Sequence, residues 1–217
     1  VILDGSALTP TQVEAVARRG GRVGCEDKAL AEVDRVRGSM LAAAADGHPH
    51  YGINTGFGSL STQRIDDAEL KHLQTNLVRS HAAGAGEPLP TDVVRAMMLL
   101  LAASLARARS GVRADVIRTI AAALNAGLTP RVPHLGSVGA SGDLAPLAHV
   151  ALALIGEGEF IDDRGRVDPA ADALRAASIE PLALEAKEGL ALVNGTHLMA
   201  ARGALLLADT DRLLDAA

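Results

Sequence analysis

The scarcity of aromatic side chains constrains the fold of this 217-residue chain more than any other feature of its sequence. Its only rings are Tyr51, Phe57 and Phe160, and it has no Trp, although 48% of its residues are hydrophobic. Most of the core must therefore consist of Leu, Val, Ile, Met and Ala. This composition suits close-packed helices and disfavours aromatic-rich β-sandwiches and barrels. We expect a mainly α fold.

Charge and cysteine content argue against several classes of function. The net charge of −5 disfavours binding to a phosphate backbone, and the few rings disfavour stacking on single-stranded nucleic acid. Cys25 is the only cysteine, which excludes an internal disulfide or a multi-cysteine zinc site and fits a cytoplasmic location. The most apolar stretch, residues 97–106, lies between Arg95 and Arg107 and is too short to cross a bilayer. It predicts a buried helix, and we expect no membrane partner.

Capping and breaking residues divide the chain into short helices. The first is predicted to begin at Thr9-Pro10 and to end at Gly20-Gly21. Further helices are predicted over residues 27–45, 66–82, 91–109, 113–126, 143–155, 169–177 and 185–192, and from Thr196 onwards. Residues 48–58 and 129–142 are predicted to be loops, and residues 159–167 a small hairpin or extended excursion. The last helix is so apolar that we expect a partner to cover it.

The glycine-rich run 136–147 (Gly-Ser-Val-Gly-Ala-Ser-Gly-Asp-Leu-Ala-Pro-Leu) permits several interpretations. A phosphate loop is disfavoured because the run lacks Gly-Lys-Ser/Thr and carries Asp143, and a serine nucleophile elbow lacks its last glycine. A plain loop with Asp143 serving the following helix start is the simplest alternative. A further chemistry fits better. The Gly142 nitrogen can attack the Ala140 carbonyl carbon, and loss of one water there and another from Ser141 gives methylidene-imidazolone, an electrophile made from the chain itself.

This run resembles the prosthetic-group signature of the aromatic amino acid ammonia-lyases. Two other segments are similar to family motifs in the same order: residues 51–58 (Tyr-Gly-Ile-Asn-Thr-Gly-Phe-Gly) and residues 192–196 (Leu-Val-Asn-Gly-Thr). The resemblance extends over nearly the whole chain but matches only the N-terminal half of such an enzyme. It implies a helical N-terminal segment, residues 1–217, that carries the imidazolone loop, with a C-terminal helical half absent from the chain. It also implies a homotetramer.

The resemblance assigns roles to residues in each motif. Ala140, Ser141 and Gly142 would form the imidazolone, with no external cofactor. Tyr51 would be the catalytic acid/base on a mobile loop that closes over the substrate. A base there needs a nearby positive dipole or hydrogen-bond donor, because an ordinary phenol has a pKa of about 10. Asn194 would face the imidazolone and the substrate. The alternatives are a packed tyrosine and a helix-boundary asparagine.

The substrate preference is predicted by Ser80-His81. Histidine-type members of the family carry Ser-His at these positions, tyrosine-type members His-Leu and phenylalanine-type members Phe-Leu. An imidazole substrate needs a hydrogen-bonding partner, and buried polar groups reject a phenyl ring. His48-Pro-His50 is only a weak metal pair, so no metal is expected. His72 and His149 are interpreted as packing or surface residues.

The resulting hypothesis is deamination of L-histidine to trans-urocanate and ammonia. The segment alone is expected to be inactive, because further family residues that bind the substrate lie beyond Ala217. A tyrosine or phenylalanine ammonia-lyase, or an aminomutase, is the nearest alternative. A non-catalytic binding or assembly protein that keeps the fold is an alternative of another class.

Overall fold

The computed structural model describes residues 1–56, 64–139, 142–162 and 164–217, and within them the chain is mainly α-helical, as predicted. The helices of this described part are α1 (Pro10–Arg19), α2 (Asp27–Ala43), α3 (Asp67–His81), α4 (Thr91–Leu105), α5 (Ala114–Asn125), α6 (Leu144–Leu154), α7 (Ala170–Ala176), α8 (Glu188–Val193) and α9 (His197–Asp215). The strands are β1 (Ile2–Leu3), β2 (Gly24–Cys25), β3 (Ala85–Pro88), β4 (Thr129–Pro130), β5 (Pro133–Leu135), β6 (Glu159–Ile161) and β7 (Val167–Pro169).

The strands form three small sheets. β1 pairs with β2 in parallel, β3 pairs with β5 antiparallel, and β4, β6 and β7 form an antiparallel sheet. The β6–β7 hairpin confirms the predicted excursion over residues 159–167. The other strands were not predicted, because two to four residues are too few to show an alternating pattern.

Helix α1 has the caps that its sequence predicts. The Thr9 hydroxyl accepts a hydrogen bond from the Gln12 amide at 3.2 Å, and the Gln12 side chain accepts one from the Thr9 amide at 2.9 Å. This reciprocal pair satisfies two of the amides that a helix start leaves unpaired. Gly20 ends the helix in the left-handed conformation, with φ +66°.

The centre of the core is α4, which packs against α1, α5 and α9. Its residues Met97, Met98 and Leu99 are fully buried, which confirms the predicted buried helix. The helix ends at Leu105, however, so the prediction of a helix over residues 91–109 was too long. The chain turns instead through Ala108, which has φ +56°.

A second group of helices, α3, α6 and α8, pack on one another and position the loops that carry the predicted site. Helix α8 begins at Glu188 and not at residue 185 as predicted, because Lys187 has φ +77° and interrupts the helical backbone. Helix α6 begins directly after the glycine-rich run. The start of α8 lies against the middle of α3, where the Gly189 amide donates to the Gln74 side-chain oxygen at 2.9 Å.

Helix α9 has one buried and one exposed apolar face. Leu198 and Leu205 are buried, whereas Leu206, Leu213 and Leu214 are exposed. By length and composition the segment 188–215 could span a bilayer. That segment is not one continuous helix, because α8 ends before residue 194 and α9 begins at residue 197, and α9 packs against α1 and α4.

Candidate active site

The glycine-rich run forms a tight loop before α6. The Gly142 amide donates to the Gly139 carbonyl at 2.8 Å, and the Val138 amide donates to the Gly142 carbonyl at 3.1 Å. Gly139 has φ +102°, a conformation that favours glycine. A Cβ on Gly142 would lie 3.3 Å from the Val138 Cα, so a side chain there would crowd the loop. Ala140 and Ser141 lie outside the described residues, between two glycines that are joined by a hydrogen bond.

Asp143 directly precedes α6, but its side chain makes no capping hydrogen bond to that helix, contrary to the plain-loop alternative in which it serves the start of α6. Its fully buried carboxylate accepts hydrogen bonds from the amides of Leu198 at 2.9 Å and Met199 at 3.2 Å, and from the Ser137 hydroxyl at 2.5 Å. It therefore caps α9, more than fifty residues away, where the negative charge also meets the positive end of the helix dipole. This carboxylate joins the glycine-rich loop to α9.

Ser80 and His81 lie in the last turn of α3. The His81 Nδ1 lies 2.9 Å from the Leu77 carbonyl and 3.1 Å from the Ser80 hydroxyl. A carbonyl only accepts, so Nδ1 carries the proton, and in the neutral ring Nε2 is then a hydrogen-bond acceptor. The pair thus presents one defined ring tautomer, which can accept a hydrogen bond from the N–H of another imidazole.

The residues after α3 lie against the start of α6. His149 accepts a hydrogen bond from the Gly84 amide through Nε2 at 3.1 Å, and burial lowers the pKa of His149. A Cβ on Gly136 would lie 3.4 Å from the Gly84 Cα and 3.0 Å from the Ala145 Cβ. The structure therefore places His81 within a few residues of the contact between α3 and the glycine-rich loop.

Asn194 is exposed at the end of α8, where its backbone amide donates to the Leu190 carbonyl at 3.0 Å. The next residue, Gly195, packs close to the ring of His197, and a Cβ on it would lie 3.5 Å from Leu147 of α6. Burial lowers the pKa of His197, and the negative charge of Asp143 opposes that effect. Asn194 thus lies beside the first turn of α6.

Tyr51 lies in a compact loop before α3, as predicted, and its side chain is exposed. Asn54 holds this loop: its side-chain oxygen accepts from the His50 amide at 2.6 Å, and its side-chain nitrogen donates to the His48 carbonyl at 2.9 Å. Gly52 has φ +71° and contacts Leu190 of α8 so closely that a Cβ would overlap its side chain. Phe57 and Gly58, at the end of the predicted motif, lie outside the described residues.

Helix α8 connects two of the predicted positions. Asn194 ends this helix, and Gly52, which follows Tyr51, contacts Leu190 within it. The residues after His81 lie against the glycine-rich loop, where Gly84 approaches Gly136. No local sequence signal indicates the contact of Asp143 with α9 or the left-handed conformation of Lys187. The partners of Asp143 lie more than fifty residues away.

A cavity and a histidine–aspartate pair lie beside the Tyr51 loop. The cavity has a volume of about 430 Å³ and is lined by residues that include Arg37, Ile53 and Arg64, but by neither Tyr51 nor His81. No group of three metal-ligating side chains occurs within the part of the chain that the structure describes, where His50 pairs with Asp46 at 2.8 Å.

Comparison with known proteins defines the class to which this fold and these motifs belong. The sequence profile of the family described as aromatic amino acid lyase matches residues 8–217. The chain therefore belongs to the aromatic amino acid lyase family.

Several curated relatives of the chain are named histidine ammonia-lyase. The chain is 51% identical to the histidine ammonia-lyase of Anaeromyxobacter sp. (strain K), with 98% of this chain and 43% of the relative covered. It is 49% identical to the probable histidine ammonia-lyase of Halobacterium salinarum (strain ATCC 29341 / DSM 671 / R1), with 100% and 41% covered. The chain thus spans about two fifths of the length of these curated relatives.

Solved structures confirm the fold. The histidine ammonia-lyase of Trypanosoma cruzi superposes with a TM-score of 0.85 at 39% identity, over 94% of this chain and 39% of that one. The tyrosine aminomutase of Streptomyces globisporus superposes with a TM-score of 0.89 at 40% identity, over 96% and 39%. Both similarities cover the same two fifths of a longer chain.

Proposed function

We propose that this chain is the N-terminal part of an enzyme that deaminates L-histidine to trans-urocanate and ammonia. The observation that carries the proposal is the Ser80-His81 pair, whose ring is held by the Leu77 carbonyl in the tautomer that leaves Nε2 as an acceptor. The 46–51% identity to enzymes named histidine ammonia-lyase supports the same substrate. Deamination by the complete protein would draw on residues outside this chain.

The glycine-rich loop suits a prosthetic group made from Ala140, Ser141 and Gly142. Gly142 is joined to Gly139 by a hydrogen bond, Gly139 has a positive φ, and a side chain on Gly142 would crowd Val138. The N-terminus of α6 follows directly, where the helix dipole favours developing negative charge. When formed, the imidazolone would supply an electrophile for the departure of the amino group, with no external cofactor or metal.

The side chains around the loop have separate tasks in this proposal. Tyr51 takes the β-proton of the substrate, which requires its phenol in the ionised form. His81 orients the substrate by accepting a hydrogen bond from its imidazole N–H. Asn194 offers donors and an acceptor to the substrate and the prosthetic group.

The assay uses the full-length protein with L-histidine, L-tyrosine or L-phenylalanine. Only L-histidine should raise the near-ultraviolet absorbance that urocanate produces. His81→Leu should remove most of the rate, whereas His72→Leu, a change at an exposed position on the same helix, should leave it intact. Absence of urocanate from an intact full-length protein would refute the proposal.

An aminomutase is the second candidate, favoured by the 40% identity to tyrosine aminomutase. A β-amino acid product without a rise in absorbance would identify it.

We also propose a cytoplasmic homotetramer, since the exposed leucines of α9 form a surface suited to burial between subunits. The 217-residue segment alone should be inactive.

A further inference from the structure

An unusual backbone conformation precedes α8. Lys187 has φ +77° and ψ −25°, in a region that side chains disfavour and where glycine is the usual residue. Backbone strain of this kind persists only where neighbouring contacts hold it, and it concentrates at functional sites. The contacts of the Lys187 backbone and side chain therefore show what holds this conformation and where it directs the side chain.

Hydrogen bonds from buried charged side chains hold the backbone on either side of Lys187. Before it, the buried Arg37 side chain donates to the Ala186 carbonyl at 3.2 Å. After it, the fully buried Glu188 carboxylate receives two hydrogen bonds from the Arg113 guanidinium, at 2.9 and 2.8 Å. The left-handed turn is thus fixed by charged hydrogen bonds from distant parts of the chain.

The fixed backbone directs the Lys187 side chain towards the Tyr51 loop. Its Cγ lies 3.6 Å from the position that a Cβ on Gly111 would take, and its Nζ lies 3.6 Å from the corresponding position on Gly52. The amine therefore lies against the residue that follows Tyr51. It is half-buried, and burial lowers the pKa of Lys187.

The other charges of this region are mostly paired with each other. The titratable and charged groups on the elements packed here are Asp46, His48 and His50 of the Tyr51 loop, Arg64, Lys71 of α3, Arg37 of α2, Arg113 before α5, Glu185 and Glu188. Two arginines and two glutamates form one network, and Asp46 pairs with His50. Within the described ranges no carboxylate forms an ion pair with Lys187. Arg64 is exposed, so solvent screens its charge.

We propose that Lys187 is a positioning residue for Tyr51, and that its ammonium group stabilises the Tyr51 phenolate. The inference rests on the proposed function, in which Tyr51 accepts a proton. An ordinary phenol is neutral at pH 7, and a nearby positive charge favours its ionised form. Because Lys187 precedes α8 and Asn194 ends it, one short helix fixes the charge relative to the substrate-binding amide.

Charge-changing variants of the full-length enzyme test this role. Lys187→Met keeps the apolar stem and removes the charge. It should lower kcat/KM for L-histidine about tenfold or more and move the acidic limb of the pH profile up by about one unit. Lys187→Arg should restore the acidic limb. It should also extend the alkaline limb to higher pH, because a guanidinium stays charged where the buried amine loses its proton.

Matched controls separate this role from a structural one. Lys28→Met, at an exposed position on α2, should leave the rate and profile unchanged. Lys187→Gly relieves the left-handed strain, so it should fold at least as well as the wild type and still lose activity. Intact mass should show the imidazolone in every variant.

Three outcomes decide the proposal. A Lys187→Met profile identical to that of the wild type overturns it, and so does a loss of rate without a change in the pH profile, which would indicate packing alone. If the wild type itself makes no urocanate, the proposed function fails and the role of Lys187 in it fails as well.

Discussion

Asp143 should contribute more to stability than any surface carboxylate, because one buried group satisfies three donors. Its oxygens accept from the amides of Leu198 and Met199 and from the Ser137 hydroxyl. Asp143→Ala leaves all three donors without this acceptor. The bond from the Leu198 amide is buried, and the other two bonds are part-buried. An unsatisfied buried donor costs about 1–3 kcal/mol and a part-buried one costs less, while removal of the carboxylate recovers part of its own desolvation penalty. We expect a net loss of about 2–4 kcal/mol in the free energy of unfolding.

Asp143→Asn should cost less. The amide oxygen can still accept from Leu198 and Met199, and the Ser137 hydroxyl can rotate to accept from the amide nitrogen. The charge interaction with the N-terminus of α9 is lost, and such interactions contribute about 0.3–2 kcal/mol. The expected loss is therefore about 1–2 kcal/mol.

Urea unfolding of the wild type and both variants measures these losses, with unchanged m-values as the criterion of a common unfolding transition. Asp211→Ala is the control, since Asp211 is exposed on α9, and it should change stability by less than about 0.5 kcal/mol. If both Asp143 variants unfold like the wild type, the carboxylate does not join the loop to α9 in the way described.

Two further predictions concern the elements that flank the site. Acidification should destabilise the protein below about pH 6.5 through His149, because burial lowers its folded-state pKa and the unfolded chain then binds more protons. His149→Gln, whose side-chain oxygen can still accept from the Gly84 amide, should weaken this pH dependence. Urea midpoints measured between pH 5 and 8 test it, and an unchanged dependence in the variant would contradict it. Gly52→Ala should destabilise by about 1–3 kcal/mol, because it adds left-handed strain and overlap with Leu190. Gly38→Ala, in an open position on α2, should instead stabilise by about 0.5–1 kcal/mol, and equal effects at the two glycines would refute this account.

The sequence predicts those parts of the fold whose causes are local. The caps of α1 depend on residues within one turn, so Thr9, Pro10 and Gly20 place both ends of the helix. The buried helix α4 follows from its continuous apolar run. Its end at Leu105 does not, since the residues that follow carry no proline and only a late glycine, and the residue that turns the chain with a positive φ is an alanine, Ala108.

The site shows the same division between local and distant causes. Motifs indicated Tyr51, His81 and Asn194, and the structure places them around α8 and the start of α6. Asp143 precedes α6, so sequence alone assigns it to that helix, whereas its partners belong to α9. Lys187 carries no local signal, because its conformation depends on buried ion pairs with residues far along the chain.

The central claim is that Ala140, Ser141 and Gly142 cyclise into a prosthetic group, and intact mass tests it most directly. The purified full-length protein should weigh two water molecules less than its sequence, with the deficit confined to the peptide that contains residues 136–147. Ser141→Ala should abolish this two-water deficit. A wild-type mass equal to that of the unmodified sequence, or the same two-water loss in Ser141→Ala, would contradict the account.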